Sequence, residues 1–301
     1  MSDSADQLVN EWDDVVCLPI IDISNREYRE ESTTAKELNF VTSKQLLHYI
    51  DNVDITQQLP KINVESNRTR MQRFIRIFSF CFGLSLPSNR RNERDRIFAI
   101  ATQPYDNRDR FHAHCLYTVY SKLTGNVVNG LRRIGQHWEE IGFQGTDPTT
   151  DFRGVGMLGL FQLTFFVIES KQSKALYDLS LDSVQHFPFA IMSMNITQIS
   201  LQVLREGLLN RMVRHDESMF QMLNRFYYGA FKQFHKVWVE QKKTIVDTGY
   251  VLQDLRKYIR KNIKRLMMED GNTCRTKYEV LDKGVNHGKE DDDNFTNIGA
   301  M

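Results

Sequence analysis

One loop in the middle of the chain, residues 138–156, holds the side chain with the clearest potential for chemistry. Arg153 is the only cation of this loop. A guanidinium presents its N–H groups in a planar fork that matches phosphate oxygens. As an arginine finger inserted into a partner's nucleotide site, it stabilises the charge of phosphoryl transfer and accelerates hydrolysis by ~10³ to 10⁵. The alternative is a structural arginine that pairs with Asp147 or Asp151 and holds the loop together.

The other residues of this loop are expected to shape it and to support Arg153. Glycine and proline fix backbone conformations that other residues rarely adopt, so a loop rich in both follows a specific path. Asp147 before Pro148 is typical of a helix N-cap followed by proline at the first helical position. Trp138, Ile141 and Phe143 are expected to pack beneath the loop. The shaping and supporting residues are Trp138, Gly142, Phe143, Gln144, Gly145, Asp147, Pro148, Asp151, Gly154 and Gly156.

Three glycines of the same region match a dinucleotide-binding fingerprint. Gly154, Gly156 and Gly159 satisfy the pattern G-x-G-x-x-G. That pattern binds a pyrophosphate only where it joins a buried strand to a helix, with an acidic residue ~20 positions later on a second strand. Neither strand is apparent in this sequence. Close packing of a helix against its neighbours is the better explanation of these glycines.

His112, His114 and Cys115 form the densest group of potential metal ligands. Helix positions two apart point to nearly opposite sides, so His112 and His114 are not expected to share an ion. The sequence also lacks a serine nucleophile elbow, an HExxH motif and a Walker-type loop. It therefore predicts no metal, no cofactor and no catalytic site that works without a partner.

Helical periodicity runs from about residue 91 to residue 268. Apolar side chains recur at spacings of three and four, as at Phe220, Leu223 and Tyr227. A chain of 301 residues that is 41% hydrophobic can bury a substantial core. We expect an all-α domain of seven to nine helices over residues 61–268. Residues 157–168 are apolar around almost the whole circumference, so they are predicted to form its central helix.

The two ends of the chain differ from this core in composition. Residues 1–60 open with an excess of acidic side chains and have few apolar repeats, which predicts a flexible or loosely packed N-terminal arm. Residues 61–96 reverse the sign, with arginines from Arg68 to Arg76 beside aromatic and aliphatic residues. Residues 269–301 become polar and contain an acidic run at 290–293, which predicts a disordered acidic tail.

Charge and cysteine content limit the partners and the compartment. A net charge of +1 argues against a general nucleic-acid binder, because such proteins carry a strong basic excess. The four cysteines are widely spaced and the polar opening is not a secretory leader, so a cytoplasmic location is expected. The longest apolar run, residues 157–168, is shorter than the ~20 residues that a membrane span requires.

A basic cluster surrounds the apolar seam of the last predicted helix. Such a cluster is either a solvated helix face or a patch that attracts anionic lipid, which would place the protein peripherally on intracellular membranes. The residues concerned are Arg256, Lys257, Arg260, Lys261, Lys264 and Arg265.

Two long segments resemble the signature of the ELMO domain, named after the engulfment and cell motility proteins. The first is HWEEIGFQGTDPTTDFRGVGMLGL at residues 137–160, and the second is FPFAIMSMNITQISLQVLREG at residues 187–207. The match covers roughly residues 90–265. Within the family the chain is most similar to the small ELMO domain-containing proteins, and RNERDRIFAIA at residues 91–101 resembles their third subtype.

This resemblance implies a single multi-helix ELMO-type domain and a function. The small ELMO domain-containing proteins act as GTPase-activating proteins for Arf-like and Arf GTPases, so a GTP-bound member of that group is the expected partner. The arginine assigned to catalysis in the family lies in the DFRG segment, which corresponds to Arg153 here. The alternative is a non-catalytic module that binds a GTPase or a scaffold partner and in which Arg153 is structural.

Overall fold

The computed structural model describes residues 40–62, 86–127, 131–210, 212–214 and 217–269, and the regular structure of these ranges is helical throughout. This confirms the predicted all-α class. The α-helices of the described ranges are α1 (Ser43–Asn52), α2 (Ser88–Ile100), α3 (Arg110–Thr124), α4 (His137–Glu140), α5 (Gly156–Glu169), α6 (Gln172–Ser180), α7 (Phe189–Glu206), α8 (Met219–Glu240) and α9 (Thr248–Glu269). Short 3-10 helices cover Leu59–Lys61, Pro148–Phe152 and Ile245–Asp247.

Helix α5 is the central element of the fold. Every residue from Gly156 to Val167 is buried, because six helices, α1, α2, α3, α6, α7 and α8, pack around it. Phe166 stacks on Phe231 of α8 with ring centroids 4.8 Å apart, and Tyr228 donates a hydrogen bond to the Phe165 carbonyl at 3.0 Å. The predicted central helix over residues 157–168 is therefore confirmed.

Helices α8 and α9 form the most extensive helix pair. They approach closely at Gly229, where an added Cβ would lie 2.6 Å from the Leu266 carbonyl oxygen. Arg225 is buried in this pair and forms an ion pair with Glu217 at 2.7 Å while donating to the Met267 carbonyl at 3.1 Å. Asn262 interrupts the regular backbone of α9 and produces a kink.

Residues 40–62 correct the predicted N-terminal arm. The sequence placed them in a flexible or loosely packed segment, but Leu46 and Ile50 of α1 are 0% and 2% exposed, and they pack toward α5. The Thr42 and Gln45 side chains close a capping box at the start of α1. The backbone N–H of Val41 donates to the Thr118 hydroxyl at 2.9 Å. This part of the arm belongs to the helical core.

Three predicted segments lie outside the described residues. These are the first part of the arm, the arginine-rich stretch that includes Arg68, Arg70, Arg73 and Arg76, and the acidic tail after Glu269. The described residues all belong to one compact unit of the chain. None of the helices in these ranges combines the length and apolar character needed to cross a bilayer.

Candidate functional site

The loop that carries Arg153 is built on three buried aromatic side chains. Trp138 on α4, Phe143 and Phe152 are 1%, 4% and 2% exposed. Phe143 meets both Trp138 and Phe152 edge to face, with centroids 6.1 and 5.8 Å apart. The Trp138 indole N–H donates to the Arg133 carbonyl at 2.8 Å. As expected from the sequence, Trp138, Phe143 and the fully buried Ile141 lie beneath the loop, and Phe152 joins them.

Gly142 joins the loop to α7. Its φ of +85° lies in the left-handed region, and an added Cβ would lie 2.2 Å from the Phe189 nitrogen. The Ile141 and Gly142 carbonyls accept hydrogen bonds from the N–H groups of Ala190 and Ile191 at 3.0 and 3.1 Å. Backbone N–H groups of the first turn of α7, which have no partner within the helix, are thereby satisfied. Only glycine fits this junction without displacing the backbone.

Asp147 and Pro148 start the 3-10 helix that leads to Arg153, as predicted. The Asp147 carboxylate accepts from the Thr149 N–H at 3.0 Å, and Pro148 occupies the first helical position. The same carboxylate forms an ion pair with Arg133 at 2.7 Å. Burial alone raises the pKa of Asp147, but the hydrogen bonds from Arg133 and Thr149 outweigh it and hold this pKa below its ordinary value of 3.8.

Replacing Asp147 with asparagine is expected to lower the melting temperature at pH 7, because asparagine keeps the cap but loses the ion pair. The loss is on the order of 1 kcal/mol for a partly exposed pair, or about 2–4 °C for a chain of this size. Because the folded-state pKa of Asp147 is lowered, this stability is fully present above its unfolded value and is lost as pH falls through the folded value.

Thermal melts from pH 7 down to pH 3 measure the difference in melting temperature between the parent and Asp147→Asn. This difference must shrink below pH 3.8. Asp254→Asn is the matched control, since within the described residues the exposed Asp254 has one polar partner, Lys257 in the same helix, at 3.4 Å. A difference between Asp147→Asn and the parent that does not change with pH would contradict the role of the ion pair.

Asp151 holds the other side of the loop. Its carboxylate accepts from the backbone N–H of Gln144 at 2.7 Å. Burial raises the pKa of Asp151, while the Gln144 hydrogen bond and the positive charge of Arg153 oppose that rise. The Gln144 side chain itself is exposed, and Gly145 beside it adopts a φ of +93°, with nothing within 4 Å of an added Cβ.

Arg153 is exposed at the end of this 3-10 helix. The two carboxylates considered as its structural partners are engaged elsewhere, Asp147 with Arg133 and Asp151 with the Gln144 N–H. Within the described residues, Arg153 forms no hydrogen bond or ion pair. Its guanidinium is therefore available to a partner without breaking a hydrogen bond or ion pair, and its internal interaction is the longer-range attraction to Asp151.

The backbone after Arg153 is fixed where the glycines approach a neighbouring segment. Gly154 is exposed, and an added Cβ would meet nothing within 4 Å. Gly156 has a φ of +54°, and its Cβ would lie 2.3 Å from the Ala101 carbonyl oxygen. The Met157 N–H donates to the Gln103 carbonyl at 3.0 Å. Of these two glycines, Gly154, beside Arg153, is the one with space for a side chain.

The G-x-G-x-x-G pattern serves packing in this structure. The segment before Gly154 is a 3-10 helix and not a strand. A Cβ at Gly159 would lie 2.5 Å from both the Met194 sulfur and a Val155 methyl group. Dinucleotide binding is therefore not supported by this backbone.

His112 and His114 occupy different environments, as predicted from their spacing. His112 is 4% exposed and its Nδ1 accepts from the Asp106 N–H at 3.1 Å, whereas His114 is partly exposed. Burial lowers the pKa of both histidines. Among the described residues, no three histidine, cysteine or acidic side chains group closely enough to hold a metal ion.

The sequence did not identify Arg133, Gln103 or Tyr105 as parts of this site. Arg133 forms an ion pair with Asp147, and the Gln103 backbone carbonyl accepts from the Met157 N–H. The Tyr105 ring stacks on Phe152, with ring centroids 6.5 Å apart. No local sequence pattern identifies these residues, because each one contacts the loop only in the folded tertiary structure.

The sequence model of the ELMO/CED-12 family matches residues 95–252, more than half of the chain and all of the Arg153 loop. The chain belongs to the ELMO/CED-12 family. The predicted likeness to the ELMO domain is thus confirmed.

Several curated proteins are similar to this chain. ELMO domain-containing protein 3 of Bos taurus is 36% identical over 231 residues, which cover 75% of this chain and 60% of that protein. The Homo sapiens protein of the same name is 33% identical over 251 residues, covering 82% and 65%. ELMO domain-containing protein 1 of Pongo abelii is 31% identical over 194 residues, covering 57% and 58%.

These figures confirm the predicted resemblance to the third subtype. The chain spans less than two thirds of the length of these relatives. No solved structure shows a significant match.

Proposed function

We propose that this protein is a GTPase-activating protein for Arf-like or Arf GTPases, with Arg153 as the catalytic arginine finger. The observation that carries the proposal is the exposure of Arg153, which forms no hydrogen bond or ion pair with the described residues. An arginine that maintained the fold would be expected to pair with Asp147 or Asp151, and neither pair forms.

Rigid support of the residues around Arg153 favours a catalytic role. Phe152 before it is buried, and Gly156 and Met157 after it are fixed against residues 101–103. A backbone held in advance next to the position where charge develops leaves less to reorganise during the reaction. The loop thus presents a guanidinium from a fixed backbone, as a finger requires.

The role of Arg153 in the reaction follows from the charge of the reacting phosphates. A water oxygen attacks the γ-phosphorus of GTP in the partner, and the bond to the bridging oxygen breaks to leave GDP and phosphate. Negative charge spreads over the phosphate oxygens during this transfer. The Arg153 guanidinium donates two hydrogen bonds to those oxygens, and these hydrogen bonds strengthen as the negative charge grows. The GTPase itself binds the nucleotide and positions the water.

A single-turnover assay tests the proposed activity. Arf-family GTPases loaded with GTP are mixed with excess full-length protein, and phosphate release is followed over time. Stimulation of at least one GTPase, lost on Arg153→Lys, supports the arginine finger. Binding of a GTP-loaded GTPase without stimulation supports the non-catalytic module.

We also propose that α9 contacts an anionic membrane, where Arf-family partners act. Lys257, Lys261 and Lys264 are exposed. Lys257 and Lys261 lie four positions apart on one side of the helix, and Lys264 follows the kink at Asn262. Arg260 forms an ion pair with Glu206 at 2.7 Å and Lys257 forms one with Asp254 at 3.4 Å, so both contribute less net charge than Lys261 and Lys264. Each lysine near an anionic surface contributes about 1 kcal/mol of attraction.

Reversing the charges of Lys257, Lys261 and Lys264 to glutamate is expected to release the protein from phosphatidylserine vesicles. Activation of a soluble GTPase should remain unchanged, because the Arg153 loop is not altered. Vesicle sedimentation at low and high salt measures the effect, since attraction between exposed charges is screened within about 10 Å at 0.1 M salt. A triple variant at the exposed Lys122, Lys171 and Lys236 is the control. Equal release by both triple variants would count against a specific patch.

A further inference from the structure

The segment that exposes Arg153 is anchored at both ends on one neighbouring loop, residues 101–109. Before Arg153, the Phe152 ring stacks on Tyr105 with an interplanar angle of 21°. After it, the Met157 N–H donates to the Gln103 carbonyl at 3.0 Å, and Gly156 lies against the backbone of Ala101. The position of Arg153 therefore depends on the position of the 101–109 loop.

The 101–109 loop is held in turn by the N-terminal segment, residues 40–62. The Gln103 side-chain amide donates to the Asp54 carbonyl at 2.8 Å. The Tyr49 hydroxyl donates to the Asp109 carboxylate at 2.5 Å and lies 3.1 Å from Nε2 of His112. His112 holds the loop from the other side by accepting the Asp106 N–H.

Arg96 fixes the same segment to α2. Its guanidinium donates to the Ile50 and Val53 carbonyls at 2.6 and 2.5 Å, and these carbonyls belong to the C-terminal end of α1 and to its C-cap. Carbonyls at a helix end lack partners within the helix, so the arginine satisfies groups that would otherwise need water. Residues 40–62 thus form a rigid support on which Gln103 rests.

We propose that residues 40–62, which lie outside the family match at 95–252, position the Arg153 finger through Gln103. This inference rests on the proposed activation of a GTPase. Gln103 is a positioning residue, since its side chain binds the support at Asp54 and its backbone carbonyl binds Met157. Displacement of a catalytic group by about 1 Å can cost about 10²-fold in rate. Loss of one of the hydrogen bonds between residues 40–62 and the 101–109 loop should therefore affect the catalytic rate more than the stability.

Gln103→Met tests this proposal, because methionine has a similar length but cannot donate to the Asp54 carbonyl. The matched control is Gln185→Met. The Gln185 amide donates to the Trp238 and Lys243 carbonyls at 3.0 and 3.2 Å and links two segments that do not include the Arg153 loop. Tyr49→Phe is a second variant, which removes the hydroxyl that contacts Asp109. All variants are made in the full-length chain.

Two measurements are made on each variant. Single-turnover hydrolysis over a range of activator concentrations separates the maximal rate from the half-saturating concentration. Hydrogen exchange of residues 148–160 reports directly on the Met157 N–H. For Gln103→Met we expect a maximal rate about 10-fold lower, based on the cost of misplacing a catalytic group, with half-saturation within about twofold, and faster exchange at residues 153–157. Tyr49→Phe should also lower the maximal rate and speed the exchange of residues 153–157. Gln185→Met should change neither the rate nor the exchange.

The exchange measurement distinguishes this proposal from the proposed function. If the wild-type protein activates no GTPase, the proposed function fails, yet faster exchange in Gln103→Met still supports positioning by residues 40–62. Unchanged exchange at residues 153–157 in a folded Gln103→Met protein overturns the positioning role. The positioning role is also overturned if the maximal rate falls equally in Gln103→Met and Gln185→Met and the loss follows the fall in their melting temperatures.

Discussion

Replacing Arg153 with lysine is expected to lower stimulated GTP hydrolysis by about 10²-fold or more, while the protein still folds and still binds its GTPase. Lysine keeps the positive charge but lacks the planar fork that engages two phosphate oxygens at once. Because the Arg153 side chain is exposed and forms no ion pair within the described residues, its replacement should leave the melting temperature unchanged. The loss therefore falls on the maximal rate and not on the half-saturating concentration.

The matched control is Arg132→Lys, because Arg132 is also exposed but lies outside the loop that carries Arg153. Arg132→Lys should activate hydrolysis as well as the parent protein. A structural Arg153 makes a different prediction, in which Arg153→Lys lowers the melting temperature, binding and activity together. A mutant of normal stability that activates GTP hydrolysis fully would exclude the arginine finger.

Local signals predicted the loop well because its shape is determined by residues close in sequence. Asp147 caps the 3-10 helix that Pro148 opens, and both roles need only the neighbouring N–H groups. The partner of Asp147 was not predictable in this way. Arg133 lies fourteen positions earlier in the chain, and no spacing rule connects the two side chains. The same limit applies to the bond between Gln103 and Met157.

The N-terminal segment shows how average composition can obscure a local signal. The acidic opening dominates the composition of residues 1–60, but Thr42 and Gln45 form a capping box immediately before the buried Leu46 and Ile50. That spacing is typical of an amphipathic helix start. Whether such a short helix docks depends on a receptive surface, which α5 provides. The docking was therefore available only from the structure.

Helix α5 gives the second large effect, since Leu160→Asp is expected to prevent folding. Leu160 is 0% exposed and lies on the central helix, where every residue from Gly156 to Val167 is buried. Loss of the leucine side chain costs about 2–5 kcal/mol in a packed core, and an unpaired buried carboxylate adds several kcal/mol. Together these terms approach the total stability of a typical domain, about 5–15 kcal/mol.

Leu181→Asp is the matched control. Leu181 is 57% exposed, so this variant makes the same chemical change at the surface. Circular dichroism and thermal melting of both variants decide the outcome. We expect Leu181→Asp to retain the helicity and cooperative melting of the parent, and Leu160→Asp to lose the melting transition. A soluble Leu160→Asp protein that melts cooperatively with normal helicity would remove α5 from the centre of the core. Since α5 begins at Gly156, three residues after Arg153, the same result would also contradict the fixed position of the backbone that follows the finger.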